Sequence, residues 1–215
     1  MLAQVVLFDG FDLLDVVAPY EVLWAGGMAA AGALQVELVS AEGRRDVPSG
    51  AGGVQLAASA VLDPERADLI IVPGAAGRVS GDGPDTIPMR LGRTLETGLP
   101  DLVRAALAKP SMTVATVCGG SLLLAMAGLL EGRPVVTHHM GMEVLAATGA
   151  VPVAARVVDD GNFVSAAGVT SGLDLGLYLL ERELGPRIAH AVETLFAYER
   201  RGTVWRARGP EPVAL

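Results

Sequence analysis

Residues 113–124 read TVATVCGGSLLL. The first five are small or β-branched and form a continuous apolar run, the pattern of a parallel strand buried on both faces. From Gly119 to Leu130 the chain is apolar all round, the pattern of a buried helix. Between the two stands Cys118, the only cysteine in 215 residues. Ligands of open α/β sheets bind at the carboxyl ends of strands. A thiol there, followed at once by a helix, predicts a sharp strand-to-helix elbow with sulfur as its nucleophile. Gly119 and Gly120 permit the tight turn, and the free N–H groups of the helix start face Cys118 and any bound anion. A helix N-terminus also lowers a thiol pKa, so a reactive thiolate is expected. Position alone leaves open the other fate of a lone cysteine, an inert core residue.

Working outward, Gln4–Phe8 reads as a buried strand and Asp12–Trp24 as a helix that Pro19 starts or breaks. Residues 25–33 read as a connector, 34–39 as a strand, and 43–61 as a hairpin excursion. Asp68–Gly74 is a second strong strand closed by Pro73-Gly74. Residues 75–98 read as a long surface loop with one helical turn near 89–95, and Leu99–Lys109 as a helix. Pro134–Thr137 is a predicted strand and Met140–Thr148 a helix. Val151–Val158 and Phe163–Ala166 form a hairpin about Asp159-Asp160-Gly161-Asn162. Helices follow over 172–184 and 186–200, then a loosely held tail from Gly202. The alternation predicts an α/β three-layer sandwich with a mostly parallel central sheet. It is read as a single domain, 1–215, with a core of about residues 4–200 and a tail of 202–215.

Composition narrows the functions. Hydrophobic residues make up 51% and charged residues 19%, too apolar for a disordered chain. The formal net charge of −8 repels phosphate backbones, so nucleic acid is not an expected partner. One cysteine cannot form an internal disulfide. The N-terminus MLAQVVLFDGFDLLD lacks the basic start of a signal peptide. The apolar run 121–130 is about half a membrane span. A soluble, cytoplasmic protein that takes a small-molecule substrate is expected. Three histidines and one cysteine show no metal-ligand spacing, and Gly26-Gly27 and Gly50–Gly53 are incomplete as dinucleotide fingerprints. Neither metal nor cofactor is expected.

Asp15 lies beyond the carboxyl end of the first strand. If that strand neighbours the one leading to Cys118, carboxyl and thiol share a crevice and hold one proton between them. A protonated Asp15 then hydrogen-bonds the thiolate and delivers its proton to substrate. Asp15 is equally readable as a helix-start carboxylate, and Asp9 and Asp12 compete for the catalytic place.

A resemblance separates these. FDGFDLLDVVAPYEVL, DLIIVPGAAG, VCGGSLLLAMAGLLEGRPVVTHH and SAAGVTSGLDLGLYLLERELG occur in the order found in the ThiJ/PfpI superfamily. The chain resembles that superfamily over about residues 4–200, which implies the flavodoxin-like, class I glutamine amidotransferase-like fold. The likeness is closest to isonitrile hydratase-like proteins and to the ligand-binding half of AraC-type regulators. It implies Cys118 as nucleophile and Asp15 as the catalytic acid. The hydratase-like pattern has Thr after the cysteine; here Gly119 removes that hydroxyl. The Gly119 N–H remains and, with Gly74 and Ala75, is expected to form an oxyanion-type pocket. THH resembles the superfamily's motif at the following strand, so His138 is a candidate pocket residue, against the plainer reading of a histidine satisfied at a strand end. His139 is expected at the surface. The peptidase branch needs His where Gly119 stands. The amidotransferase His-x-Glu is missing at His138, His139 and His190. The resemblance further implies a homodimer.

Two functions follow. One is a cysteine-dependent hydratase or hydrolase, isonitrile hydratase-like, a lyase that turns an isonitrile into an N-substituted formamide; its nearest rival is a glyoxalase or deglycase acting on reactive aldehydes. The other is a ligand or redox sensor without a DNA-binding part, since about fifteen residues after the last predicted helix leave no room for one.

Overall fold

The computed structural model describes residues 1–210. β1 (Leu2–Leu7) opens the chain, and α1 (Leu13–Ala29) follows. The Asp12 side chain caps α1 by accepting from the N–H groups of Leu14 and Asp15. The helix runs through Pro19 and overruns the expected connector. Pro19 has no N–H to offer the carbonyl of Asp15, but its ring packs against Gly172, and burial outweighs the lost bond. Gly26 and Gly27 stay helical because Leu180 and the Leu34 carbonyl fill the space a side chain would need. That packing offsets a helix propensity about 1 kcal/mol below alanine.

The remaining elements are β2 (Gln35–Ser40), β3 (Arg45–Pro48), β4 (Gln55–Ala58), β5 (Ala60–Val61), β6 (Leu69–Val72), α2 (Ile87–Leu95), α3 (Leu99–Leu107), β7 (Thr113–Val117) and α4 (Gly120–Met126). Then come β8 (Pro134–Val135), α5 (Met142–Ala147), β9 (Val151–Pro152), β10 (Val157–Asp160), β11 (Phe163–Ala166), α6 (Ser171–Leu184), α7 (Pro186–Phe196) and β12 (Trp205–Arg206). The eight-stranded sheet has the order β12-β10-β11-β7-β6-β1-β2-β5. Only β10 and β12 run against the other strands, so the expected mostly parallel α/β sheet is observed. One helical layer joins α1, α6 and α7; the other joins α2, α3, α4 and α5. β1 sends the chain outward to β2, then β6 returns to the opposite side of β1. The carboxyl ends of β1, β6 and β7 therefore border the switch point where such sheets bind ligands.

Several expectations are corrected. The helical turn near 89–95 is a full helix, α2, starting at Ile87 with Pro88 in its first turn. The predicted strand 151–158 is two: β9 pairs with β8, and β10 pairs with β11 in the main sheet. The final helix stops at Phe196, where Ala197 adopts a left-handed backbone (φ 48°). The tail is fastened rather than loose through Arg206. β12 adds to the sheet edge, and Arg206 meets both Asp159 and the Tyr178 hydroxyl. Arg200 pairs with Glu181 and Glu193. Residues 211–215 of the expected tail lie outside the described residues. Among the described residues no helix is long and apolar enough to cross a membrane.

Candidate active site

β7 is buried along its length and delivers Cys118 at the carboxyl edge of the sheet. Cys118 has φ of +55°, rare for a residue with a side chain and about 1–3 kcal/mol above the ordinary regions. Two bonds hold it there. Its N–H donates to the Ala166 carbonyl of β11 at 3.0 Å, and its carbonyl accepts from the Thr137 hydroxyl at 2.7 Å. The chain then turns into α4, where Gly120 is pressed on the end of β6. A Cβ there would stand 2.9 Å from the Pro73 carbonyl oxygen and closer still to that of Val72. This is the predicted elbow, and Cys118 as a whole is 8% exposed.

Asp15 is fully buried, on the first turn of α1. β1 and β7 are not neighbours, because β6 lies between them. The carboxyl reaches the elbow nonetheless, because β6 ends on Pro73-Gly74 and Gly74 has no side chain. A Cβ at Gly74 would stand 2.6 Å from the Gly119 nitrogen and 2.9 Å from Asp15 Oδ2. The Gly74 N–H donates to Asp15 Oδ2 at 2.9 Å. Oδ1 is buried with no well-directed partner among the described residues, while the Cys118 thiol lies close enough to couple to the carboxyl.

Burial holds the Asp15 carboxyl well above the usual carboxylate range, and the nearby charge of Asp12 adds to this. The Gly74 N–H and the Cys118 thiol oppose it without prevailing. Burial also pushes the Cys118 thiol up, as does the charge of Asp15, against a weaker opposing bond from the Gly119 N–H. The expected low thiol pKa is thereby corrected. The seven-residue α4 supplies too small a dipole to offset desolvation beside a carboxylate. The pair resists carrying two charges, so protons leave it one at a time.

Of the expected pocket residues, Gly74 has its N–H committed to Asp15. The Ala75 and Gly119 N–H groups make no backbone hydrogen bond among the described residues, and the two approach one another above the elbow. The Gly119 N–H faces the Cys118 sulfur, and the Ala75 N–H is left without a backbone acceptor among those residues. His138 Nδ1 accepts from the Met140 N–H at 3.3 Å, so the other ring nitrogen carries the proton in the neutral form. Its ring packs over Gly168 and lies 4.2 Å from the ring of His139. Burial and His139 lower the His138 pKa. From the same strand end the Thr137 hydroxyl bonds the Cys118 carbonyl.

Sequence reasoning missed Thr137 and a buried hydroxyl chain beneath the elbow. Thr116 and Ser121 are hydrogen-bonded at 2.7 Å, Ser121 donates to the Val136 carbonyl, and Ser165 accepts from the Val136 N–H. The chain ties β7, α4, β11 and the segment after β8 into one rigid base. Its signal was present as hydroxyl residues within otherwise apolar strands. No cluster of three or more His, Cys, Asp or Glu suited to a metal occurs among the described residues.

A strained thiol at the carboxyl edge of a parallel sheet, with a buried carboxyl across a glycine, defines a class of cysteine-elbow α/β proteins. The chain belongs to the DJ-1/PfpI family, whose model matches residues 1–182. Isonitrile hydratase of Pseudomonas putida is 36% identical over 194 residues, which span 89% of this chain and 76% of that enzyme. The HTH-type transcriptional regulator GbdR of Pseudomonas aeruginosa is 30% identical over 199 residues, 90% of this chain and 50% of the regulator. The chain thus spans about half of that relative. A solved ThiJ/PfpI family protein from Pseudomonas syringae superposes with a TM-score of 0.77 at 24% identity, covering 94% of this chain and 76% of the other.

Proposed function

We propose that the protein is a cysteine-dependent small-molecule hydratase of the isonitrile hydratase kind, with Cys118 as nucleophile and Asp15 as the group that moves protons. The observation that carries this reading is the buried Asp15 carboxyl coupled to the Cys118 thiol at a strained elbow. Sulfur attacks the terminal carbon of R–N≡C. A carbon–sulfur bond forms, and the thiol proton passes through Asp15 to that carbon, giving R–N=CH–S–Cys118. Water then adds across the C=N bond. Asp15 gives its proton to nitrogen and takes one from water, and as the bond to sulfur breaks the remaining hydroxyl becomes the formyl carbonyl and its proton passes to sulfur, releasing R–NH–CHO and the thiol. The N–H groups of Ala75 and Gly119 are proposed to stabilise the negative charge in these steps. His138 is proposed to line the pocket. The expected homodimer, the cytoplasmic location, the single domain and the absence of nucleic-acid partners belong to the same proposal.

The test is turnover of a panel of small isonitriles, following formamide, with methylglyoxal and lactate formation as the competing arm. Cys118→Ala is expected to abolish formamide formation and Asp15→Asn to reduce it at least a hundredfold. Unchanged turnover in either variant rejects the mechanism, and activity on methylglyoxal alone assigns the aldehyde reading instead. The match to half of a transcriptional regulator supports a second reading, a ligand sensor. Tight isonitrile binding without turnover assigns that one.

A further inference from the structure

The β1–α1 loop, β3 and α2 border a cleft of about 600 Å³. Arg90 and Arg93 enter it from α2, one turn apart and hence on one face. Arg45 enters from β3, and Asp9 and Glu42 stand at its rim. The chain is acidic overall, and most of its arginines hold carboxylates. Asp9 and Glu42 both bond to Arg45. Arg90 has no carboxylate partner among the described residues and donates only to the Ala76 carbonyl. The Arg93 side chain makes neither an ion pair nor a hydrogen bond among them. Arg45 Nε is buried and unpartnered. With three guanidinium groups against two carboxylates, the cleft is locally positive within a molecule of net charge −8.

The cations are held in place before any ligand arrives. The stem of Arg90 lies on the backbone of Gly10, where a Cβ would stand 2.5 Å from Arg90 Cδ. Gly10 has φ of +90°, so both its conformation and its lack of a side chain serve this contact. Fixing a guanidinium in advance lowers the ordering cost of binding.

We propose that this cleft is a binding site for a small oxyanion, a carboxylate or a phosphate, gripped by Arg90 and Arg93. It is separate from the thiol site. Leu91 of α2 faces Gly119 at the elbow, whereas Arg90 and Arg93 face the cleft. The two sites still share a wall. The loop that lines the cleft at Asp9 and Gly10 continues into Asp12 and Asp15, and Ala76, held by Arg90, follows Ala75. The proposal does not depend on the hydratase reading.

Calorimetric titration of the intact protein at constant ionic strength tests it. One arm uses inorganic phosphate and sulfate, the other succinate and acetate. Saturable binding at about 1 mM or tighter is expected in at least one arm, and the stronger arm assigns the ligand chemistry. Arg93→Gln, at an exposed position, is expected to weaken it roughly tenfold or more. Arg104→Gln, which removes an exposed arginine paired with Asp101 elsewhere, should leave it unchanged. No saturable binding in either arm, wild-type affinity in Arg93→Gln, or equal loss in Arg104→Gln would overturn the proposal.

Discussion

Replacing Asp15 by asparagine separates what the buried carboxyl costs the fold from what it does in the site. In the unfolded chain this carboxyl ionises near its ordinary value of 3.8; in the folded protein burial holds that value well above. Between the two values the folded state binds one more proton than the unfolded state. Stability therefore falls as pH rises across that window, by about 1.4 kcal/mol per pH unit for one proton. The contribution is fully present below pH 4 and flat again above the folded value. Asparagine does not titrate. Its amide oxygen can still accept from the Gly74 N–H, and its amide nitrogen takes the place of the unpartnered Oδ1. Any penalty there is independent of pH and shifts the offset, not the slope. Urea denaturation of both proteins under reducing conditions, at each unit from pH 4 to 8, gives the difference directly, and shared titrations cancel. The Asp15→Asn variant is expected to gain on the wild type with rising pH at about that slope until the folded carboxyl ionises. A pH-independent difference, or a wild type that gains on the variant toward pH 8, refutes the reasoning.

The two glycines after Cys118 should respond unequally to a methyl group. A Cβ at Gly119 meets Gly74 Cα at 3.5 Å and Leu91 Cδ1 at 3.8 Å, ordinary contacts, so Gly119→Ala should change stability by at most about 0.5 kcal/mol in a thermal melt. Gly120→Ala drives a methyl into the Val72 carbonyl and should cost about 2–3 kcal/mol. Asp174, 2% exposed, accepts from Arg156, the Tyr198 hydroxyl and the Arg201 N–H. Asp174→Asn should cost about 2–4 kcal/mol by urea denaturation, because Arg156 loses its carboxylate in a mostly buried place. Faster amide exchange over residues 198–206 should accompany the loss.

How much of this was legible depends on the range of the interaction. The elbow was readable because it is local: an apolar strand, a thiol and two glycines stand in sequence, and each constrains the next. The meeting of Asp15 and Cys118 was not readable from periodicity. Strand order is a global property, and β6 comes between their strands. The residue that joins them, Gly74, looks in sequence like a plain turn residue; its role as the thin wall between carboxyl and elbow exists only after assembly. The tail misled for a similar reason. Arg206 lies in the stretch read as loosely held, yet Asp159 on β10 and the Tyr178 hydroxyl on α6 fix it, a meeting that exists only after assembly.

The thiol shows the same limit in its electrostatics. A helix start after Cys118 is visible in the sequence and argues for a thiolate; the desolvation that overrides it is not visible there. The consequence is chemical. Burial pushes the Cys118 thiol up and the Asp15 carboxyl up, so the pair resists carrying two negative charges at once. In the proposed hydration, charge is created as the electrophile bonds to sulfur, at the moment the shared proton moves. In that proposal a substrate that accepts a proton on the carbon or nitrogen being attacked relieves the charge that the buried pair resists carrying.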